Sequence, residues 1–217
     1  MKYALIGISG YAKSGKSTIY SMLKEIGAKE VAFADHLKNT CAAVFKIPRV
    51  NFDDQSLKEI PFESPVHLNL IHLSEILSMF KLDVDVDTWI ELTTRTEGTP
   101  LKSPRHIAQY IGTEVLRSID EDIHIKTALA KITEEGIYVC SDVRFVNELE
   151  NVKKAGGFVI GIQRDSVKPD LSNVHASESF IEEIISKADH KIVNHGTLEE
   201  LKAAVREVLE KEGIKAV

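Results

Sequence analysis

Short apolar runs that end abruptly in polar or glycine-rich residues set the layout of the chain. Tyr3 to Ile8 is a continuous apolar run of the kind that forms a strand buried on both faces. Ser17 to Ile26 then carries apolar residues at helical spacing, Glu30 to Ala34 reads as a second strand, and Asp35 to Phe45 as a helix with Leu37, Cys41, Val44 and Phe45 on its apolar side. Later in the chain, strands are predicted at Ile137–Ser141, Phe158–Gln163 and Lys191–Val193. Helices are predicted at Val146–Lys154, Ser179–Lys187 and a last segment striped by Leu198, Leu201, Val205, Val208 and Leu209. Five strands alternating with helices predict an α/β fold: a five-stranded, mostly parallel sheet with right-handed crossovers and helices on both faces.

The middle of the chain breaks this rhythm. Pro48, Pro61, Pro65 and Pro100 separate short segments, of which Asn69 to Phe80 has clear helical spacing at Leu70, Leu73, Leu77 and Phe80. Lys81 to Asp87 reads as a solvated loop. His67 and His72 are five apart, a spacing that does not put two imidazoles on one helical face, so neither reads as a metal ligand. Ser103-Pro104 starts a further helix with an N-cap and a first-position proline, running to about Ile119. One of its sides carries Ile107, Ile111, Val115 and Ile119. Another gathers Arg105, Gln109 and Gly112, and a helical glycine, about 1 kcal/mol worse than alanine, suggests close approach by a ligand or another backbone. A helix from about Asp120 to Glu135, stopped by Gly136, follows. We expect a single domain, 1–217, with a helical insertion at 48–120.

Composition narrows the classes. A length of 217 residues suits one α/β domain, and a net charge of −6 with scattered basic residues gives no footprint for nucleic acid. Cys41 and Cys140 have no C-x-x-C spacing and read as two reduced thiols. The first strand begins almost at Met1, leaving no room for a signal peptide, and no apolar run reaches the about 20 residues of a membrane helix. The expectation is a soluble, cytoplasmic protein with no membrane partner.

Gly10 to Ser17 reads G-x-x-x-x-G-K-S between the first strand and the first helix. That setting makes it a phosphate loop, in which inward backbone N–H groups cradle phosphates, Lys16 reaches the β/γ-phosphates and the Ser17 hydroxyl serves Mg²⁺. The helix start adds partial positive charge. The strand Ile137–Ser141 ends at Asp142, a candidate for the acidic residue near the metal, with Arg144 over the same end of the sheet and Glu148 one turn on. Alternatively Asp142 caps the next helix and Arg144–Glu148 is an ordinary surface pair. Asp35 is either a helix cap or a contact to substrate sugar or metal. The polar segment after Arg164, with Lys168 and His175, lies where a lid over the phosphates would be, 164–179, or is a solvated loop.

Taken together, these pieces resemble a bacteriophage-type deoxynucleoside monophosphate kinase, a branch of the P-loop nucleotide kinases. The resemblance rests on the Gly10–Ser17 loop, Ser103-Pro104-Arg105-His106-Ile107-Ala108-Gln109-Tyr110-Ile111-Gly112-Thr113-Glu114, Ser141-Asp142-Val143-Arg144-Phe145-Val146-Asn147-Glu148, and His175-Ala176-Ser177-Glu178 with Asn194-His195-Gly196. It implies Mg²⁺-dependent transfer from ATP to a deoxynucleoside monophosphate. Gly10, Lys13, Ser14, Gly15, Lys16, Ser17 and Thr18 would then hold the ATP phosphates, and the Asn194 turn its adenine side. Lys13, Arg105, Gln109, Gly112, Asp142, Arg144 and Glu148 would line the acceptor pocket; Lys16, Arg105, Asp142 and Arg144 would carry catalysis, and Ser17 and Asp142 the metal. Arg95 is a candidate for the acceptor-binding arginine of the insertion, and His124 stands where some relatives have tryptophan. Dephospho-CoA kinase and a non-catalytic nucleotide-binding module are the alternatives; homodimer formation is left open.

Overall fold

The computed structural model describes residues 3–164 and 180–214. They divide into two compact units, Met1–Ala32 with Leu129–Val217, and Phe33–Ala128.

The first unit is built on a five-stranded sheet in the order β2-β5-β1-β6-β7, every pairing parallel. Its strands are β1 (Tyr3–Ser9), β2 (Lys29–Glu30), β5 (Gly136–Cys140), β6 (Phe158–Gln163) and β7 (His190–Val193). The central strand β1 is buried from Leu5 onward, which is why its run is apolar rather than alternating. Gly7 lets the layer above the strand close tightly: a Cβ on it would meet Val159 Cγ2 at 3.0 Å and Val143 Cγ2 at 3.1 Å, so both methyls would have to give way. Helices α1 (Lys16–Glu25), α9 (Val146–Lys154), α10 (Ile181–Lys187) and α11 (Leu198–Lys211) complete the unit. Ile19 and Leu23 of α1 and Leu201, Val205, Val208 and Leu209 of α11 share one core with Ile6, Ile8, Ile160 and Ile162.

The second strand is shorter than the Glu30–Ala34 expected. Val31 still donates its N–H to the Val139 carbonyl (2.8 Å), after which the chain leaves the sheet.

The second unit holds α2 (Asp35–Phe45), α3 (Val50–Asp53), a two-residue antiparallel pair β3 (Val66–His67) and β4 (Pro100–Leu101), α4 (Leu70–Met79), α5 (Val86–Thr96), α6 (Pro104–Tyr110), a π-helical turn (Ile111–Leu116), α7 (Arg117–Ile119) and α8 (Ile123–Leu129). Leu37, Cys41 and Val44 of α2 join Leu73, Ile76, Ile107, Ile111 and Val115 in its core, so the unit begins at 33 rather than at the expected 48 and runs to 128 rather than 120. Three readings change here. A helix, α5, occupies the stretch after Asp85, whose carboxylate caps it by accepting the Thr88 N–H (2.8 Å). The helix foreseen over 103–119 is interrupted by the π turn. The helix foreseen over 120–135 is confined to α8, and Gly136 opens β5 instead of stopping a helix. No described helix is long and apolar enough to cross a membrane.

Candidate active site

The carboxyl end of β1 feeds directly into the phosphate loop. Ser9 is buried and its hydroxyl donates to the Val143 carbonyl (2.7 Å), while the Val143 N–H donates to Ile8 O (2.9 Å), so the ends of β1 and β5 are tied together past the last ladder pair. Gly10 then turns the chain where no side chain fits: a Cβ would stand 2.5 Å from Ile162 Cγ2 and 2.6 Å from the Ile162 carbonyl oxygen. Lys13 (φ 63°) and Gly15 (φ 120°) have left-handed backbones, the conformation from which anion-binding loops are built, and Gly15 caps α1. Lys13 and Ser17 are exposed, Thr18 half-buried. The Ser14 hydroxyl is buried with no hydrogen-bond partner among the described residues.

Lys16, the first residue of α1, bends back over the loop. Its Nζ donates to Gly10 O (2.5 Å) and Tyr11 O (3.1 Å) and stands 3.8 Å from Asp142 Oδ1. Asp142 follows the end of β5, the neighbour of β1, and its other oxygen accepts from Arg144 Nε (2.6 Å). Lys16, Asp142 and Arg144 thus form one continuous charged line across two adjacent strand ends. Glu148 is placed differently from the surface pair considered: it is buried, and its carboxylate accepts the main-chain N–H groups of Arg144 (2.9 Å) and Phe145 (3.2 Å). It thereby fixes the turn that carries Arg144 into α9.

A supporting contact was not foreseen from the sequence. Glu30, at the end of β2, accepts from the Ser141 hydroxyl (2.5 Å), next to Asp142, and raises the Tyr20 phenol together with burial, which is the larger cause. The only signal was positional, an acidic residue at a neighbouring strand's end. Cys140 is pushed up to about 12, by burial first and then by Glu148 and Glu30, so the thiol beside this cluster stays protonated. Asn194 is also buried; its side-chain amide donates to Ser14 O (2.8 Å) and its main-chain N–H to Gln163 O (2.7 Å).

In the second unit, Arg105 donates to Glu59 Oε1 (2.5 Å), Gln109 is exposed and Gly112 is buried. They do not form one open surface: a Cβ on Gly112 would lie 2.8 Å from Leu37 Cδ2, so the bare backbone expected there is covered by α2. The Gly112 carbonyl bonds His124 Nε2 (3.2 Å) as well as the Arg117 N–H across the π turn. Burial, the larger effect, together with the charges of Arg117 and His36, pushes His124 down to about 4. Arg95 bonds Glu114 (3.4 Å) and Ser118 (2.9 Å). Asp35 is the first residue of α2 rather than its cap, which is Ala34, and accepts from Arg49 (2.7 Å). Arg164 is exposed, whereas Lys168, His175 and the rest of the 164–179 segment from 165 onward lie outside the described residues.

The profile of deoxynucleotide monophosphate kinases matches residues 4–205. The chain belongs to the deoxynucleotide monophosphate kinase family. A protein of Acanthamoeba polyphaga mimivirus, provisionally named as a deoxynucleotide monophosphate kinase, is 29% identical over 212 residues, which is 90% of this chain and 91% of the viral one. Among solved structures, a Thermus thermophilus protein (14% identity, 97% of this chain and 98% of that one) and dephospho-CoA kinase from Campylobacter jejuni (15%, 98% of each) both align with a TM-score of 0.45. The kinase is thus a phosphotransferase by family. Among the described residues of the kinase, no group of three or more His, Cys, Asp or Glu side chains could hold a metal ion by itself.

Proposed function

We propose that this kinase transfers the γ-phosphoryl group of ATP, bound with Mg²⁺, to a deoxynucleoside 5′-monophosphate, giving the diphosphate and ADP. The observation that carries the reading is the line Lys16–Asp142–Arg144 at the ends of β1 and β5, beside a loop whose glycines exclude side chains. Ligands of open α/β sheets bind outside strand carboxyl ends.

An oxygen of the acceptor phosphate attacks the γ-phosphorus as the bond to the β–γ bridging oxygen breaks, and the electron pair leaves with ADP. The nucleophile is already anionic, so no strong general base is required. What the protein contributes is in-line positioning and positive charge. Lys16 and the loop N–H groups of Lys13 to Thr18 hold the donor phosphates, and Arg144, linked to Lys16 through Asp142, serves the acceptor phosphate. Glu148 acts on this site by capping the turn that carries Arg144. The buried Ser14 hydroxyl, which has no hydrogen-bond partner among the described residues, is one more group suited to a phosphate oxygen. Ser17 and Asp142 offer a hydroxyl and a carboxylate, hard oxygen donors suited to a cation that keeps most of its shell as phosphate and water. Mg²⁺ supplies neutralisation of β- and γ-phosphate charge when bound.

A coupled ADP-release assay over deoxynucleoside monophosphates, ribonucleoside monophosphates and dephospho-CoA tests this. Turnover with deoxynucleotides is expected; turnover confined to dephospho-CoA would overturn the acceptor, and ATP binding without turnover on any acceptor would favour a regulatory module.

A further inference from the structure

Asn194 sits at the turn between β7 and α11, the turn likened above to an adenine-binding loop. Its side chain is turned away from that task. The residue is 9% exposed, and its amide Nδ2 is 2.8 Å from the Ser14 carbonyl oxygen inside the phosphate loop. A carbonyl only accepts, so the group facing it is the amide's donor. The backbone of Asn194 is fixed independently, since its N–H donates to Gln163 O (2.7 Å) and extends the β6–β7 pairing beyond Val193. The carboxamide is therefore held from the sheet and presented to the loop.

The loop is shaped to receive it. A Cβ on Gly15 would stand 2.8 Å from Asn194 Nδ2 and 3.0 Å from Ile162 Cδ1, and Gly15 also has a φ of 120° that other residues rarely adopt. The Ser14–Gly15 peptide thus packs closely against the Asn194 amide and Ile162 of β6. That peptide immediately precedes Lys16, and its plane sets the direction of the Gly15 N–H and of the helix start that follow. Ser14 Oγ itself is buried without a hydrogen-bond partner among the described residues.

We propose that Asn194 is a positioning residue for phosphate binding: its carboxamide holds the Ser14–Gly15 peptide in the orientation that points the loop's N–H groups at the β/γ-phosphates. Base recognition is not its role. The proposal rests on the reading of Gly10–Ser17 as the donor phosphate site.

Inorganic tripolyphosphate, which has the phosphate chain and no base, separates the two roles. Affinities of wild type, Asn194→Ala and the near-isosteric Asn194→Leu for Mg²⁺–ATP, Mg²⁺–GTP and Mg²⁺–tripolyphosphate are measured by calorimetry, with circular dichroism confirming the fold. If Asn194→Ala does not fold, Asn194→Leu, which keeps the approximate shape, removes the donor and adds no charge, decides. The expected result is a loss of about tenfold, the cost of a carbonyl left unpaired in a buried site. It should be equal for ATP and tripolyphosphate, with the ATP/GTP ratio unchanged. A loss for ATP alone, with tripolyphosphate held at the wild-type affinity, would overturn the proposal in favour of base reading. Unchanged affinity for all three in a folded variant with a lowered melting point would overturn it in favour of a purely structural role. Wild type binding neither tripolyphosphate nor ATP would instead overturn the phosphate-site reading and the proposal with it.

Discussion

Lys16 Nζ stands 3.8 Å from Asp142 Oδ1 while donating to the main-chain carbonyls of Gly10 and Tyr11 at 2.5 and 3.1 Å. The ammonium is placed by the loop it serves, and the carboxylate belongs to the next strand. Neither group could be set there by its own element alone. Lys16→Ala is expected to lower phosphoryl transfer by about 10²–10³-fold, the usual cost of removing one preorganised charge from a transferring group. The fold should survive, because Ile19 and Leu23, the core contacts of α1, are untouched. Rates of ADP release beside a circular dichroism melt check both halves; near-normal turnover would refute the role.

Arg144 reaches Asp142 with its Nε, yet both side chains remain close to half exposed, 45% and 43%. As a stability element such a pair is worth little, about 0–1 kcal/mol. Its expected value is in binding. Arg144→Ala should weaken acceptor monophosphate by roughly tenfold, the loss of one charge-assisted hydrogen bond, and change ATP affinity by less than about twofold. Separate calorimetric titrations with each nucleotide measure this, and equal losses for both would remove Arg144 from the acceptor side.

The sheet was legible because its strands are short apolar runs with hard stops. For α9 and β6 the expected and observed limits coincide: Glu148 reaching back to the Phe145 N–H sets one, and the Ala155-Gly156-Gly157 turn sets the other. The second unit was less legible for a definite reason. Helix α5 starts inside the charged run Lys81 to Asp87, which reads as a solvated loop, and its buried positions, Leu92 and Thr96, come only towards its far end. The π turn was hidden because Ile107, Ile111 and Val115 keep their four-residue spacing through it. The charged line at the strand ends followed from strand-end logic. The cover over Gly112 did not, since it depends on Leu37 from a distant helix, and neither did the target of Asn194, which depends on where the loop's carbonyls point.

Gly10 makes a sharper test of the loop than the more familiar lysine. A Cβ there meets not only a movable methyl but the Ile162 carbonyl oxygen at 2.6 Å, and that oxygen belongs to β6 and cannot retreat without moving the sheet. Gly10→Ala is expected to cost about 2 kcal/mol through overpacking. For a chain of this size that is a fall of roughly 4–8 °C in melting temperature. ATP affinity should fall as well. Differential scanning calorimetry gives the first quantity, and a wild-type melting temperature in the variant would mean that the loop does not press on β6 as described.

His124 links stability to pH. Its folded-state value of about 4 lies below the ordinary 6.5, with burial the chief cause, so between those values the unfolded chain binds the proton that the native chain refuses. Stability is then full above about pH 6.5 and is lost as pH falls toward 4. From pH 7 to pH 5 the loss attributable to this one imidazole is roughly 2 kcal/mol. Asp53, held down to about 2 chiefly by its hydrogen bond from Arg49, changes stability in the same direction but only below its ordinary 3.8, outside that window. His72 is also lowered by burial and contributes the same sign, so the comparison must be with a variant rather than with wild type alone. His124→Gln fits the purpose, because an amide N–H can still donate to the Gly112 carbonyl and does not titrate. Urea unfolding at pH 7 and pH 5 should show wild type losing about 2 kcal/mol more than the variant across that interval. Equal losses would place the His124 proton affinity near its ordinary value and would mean that water reaches the ring behind the π turn.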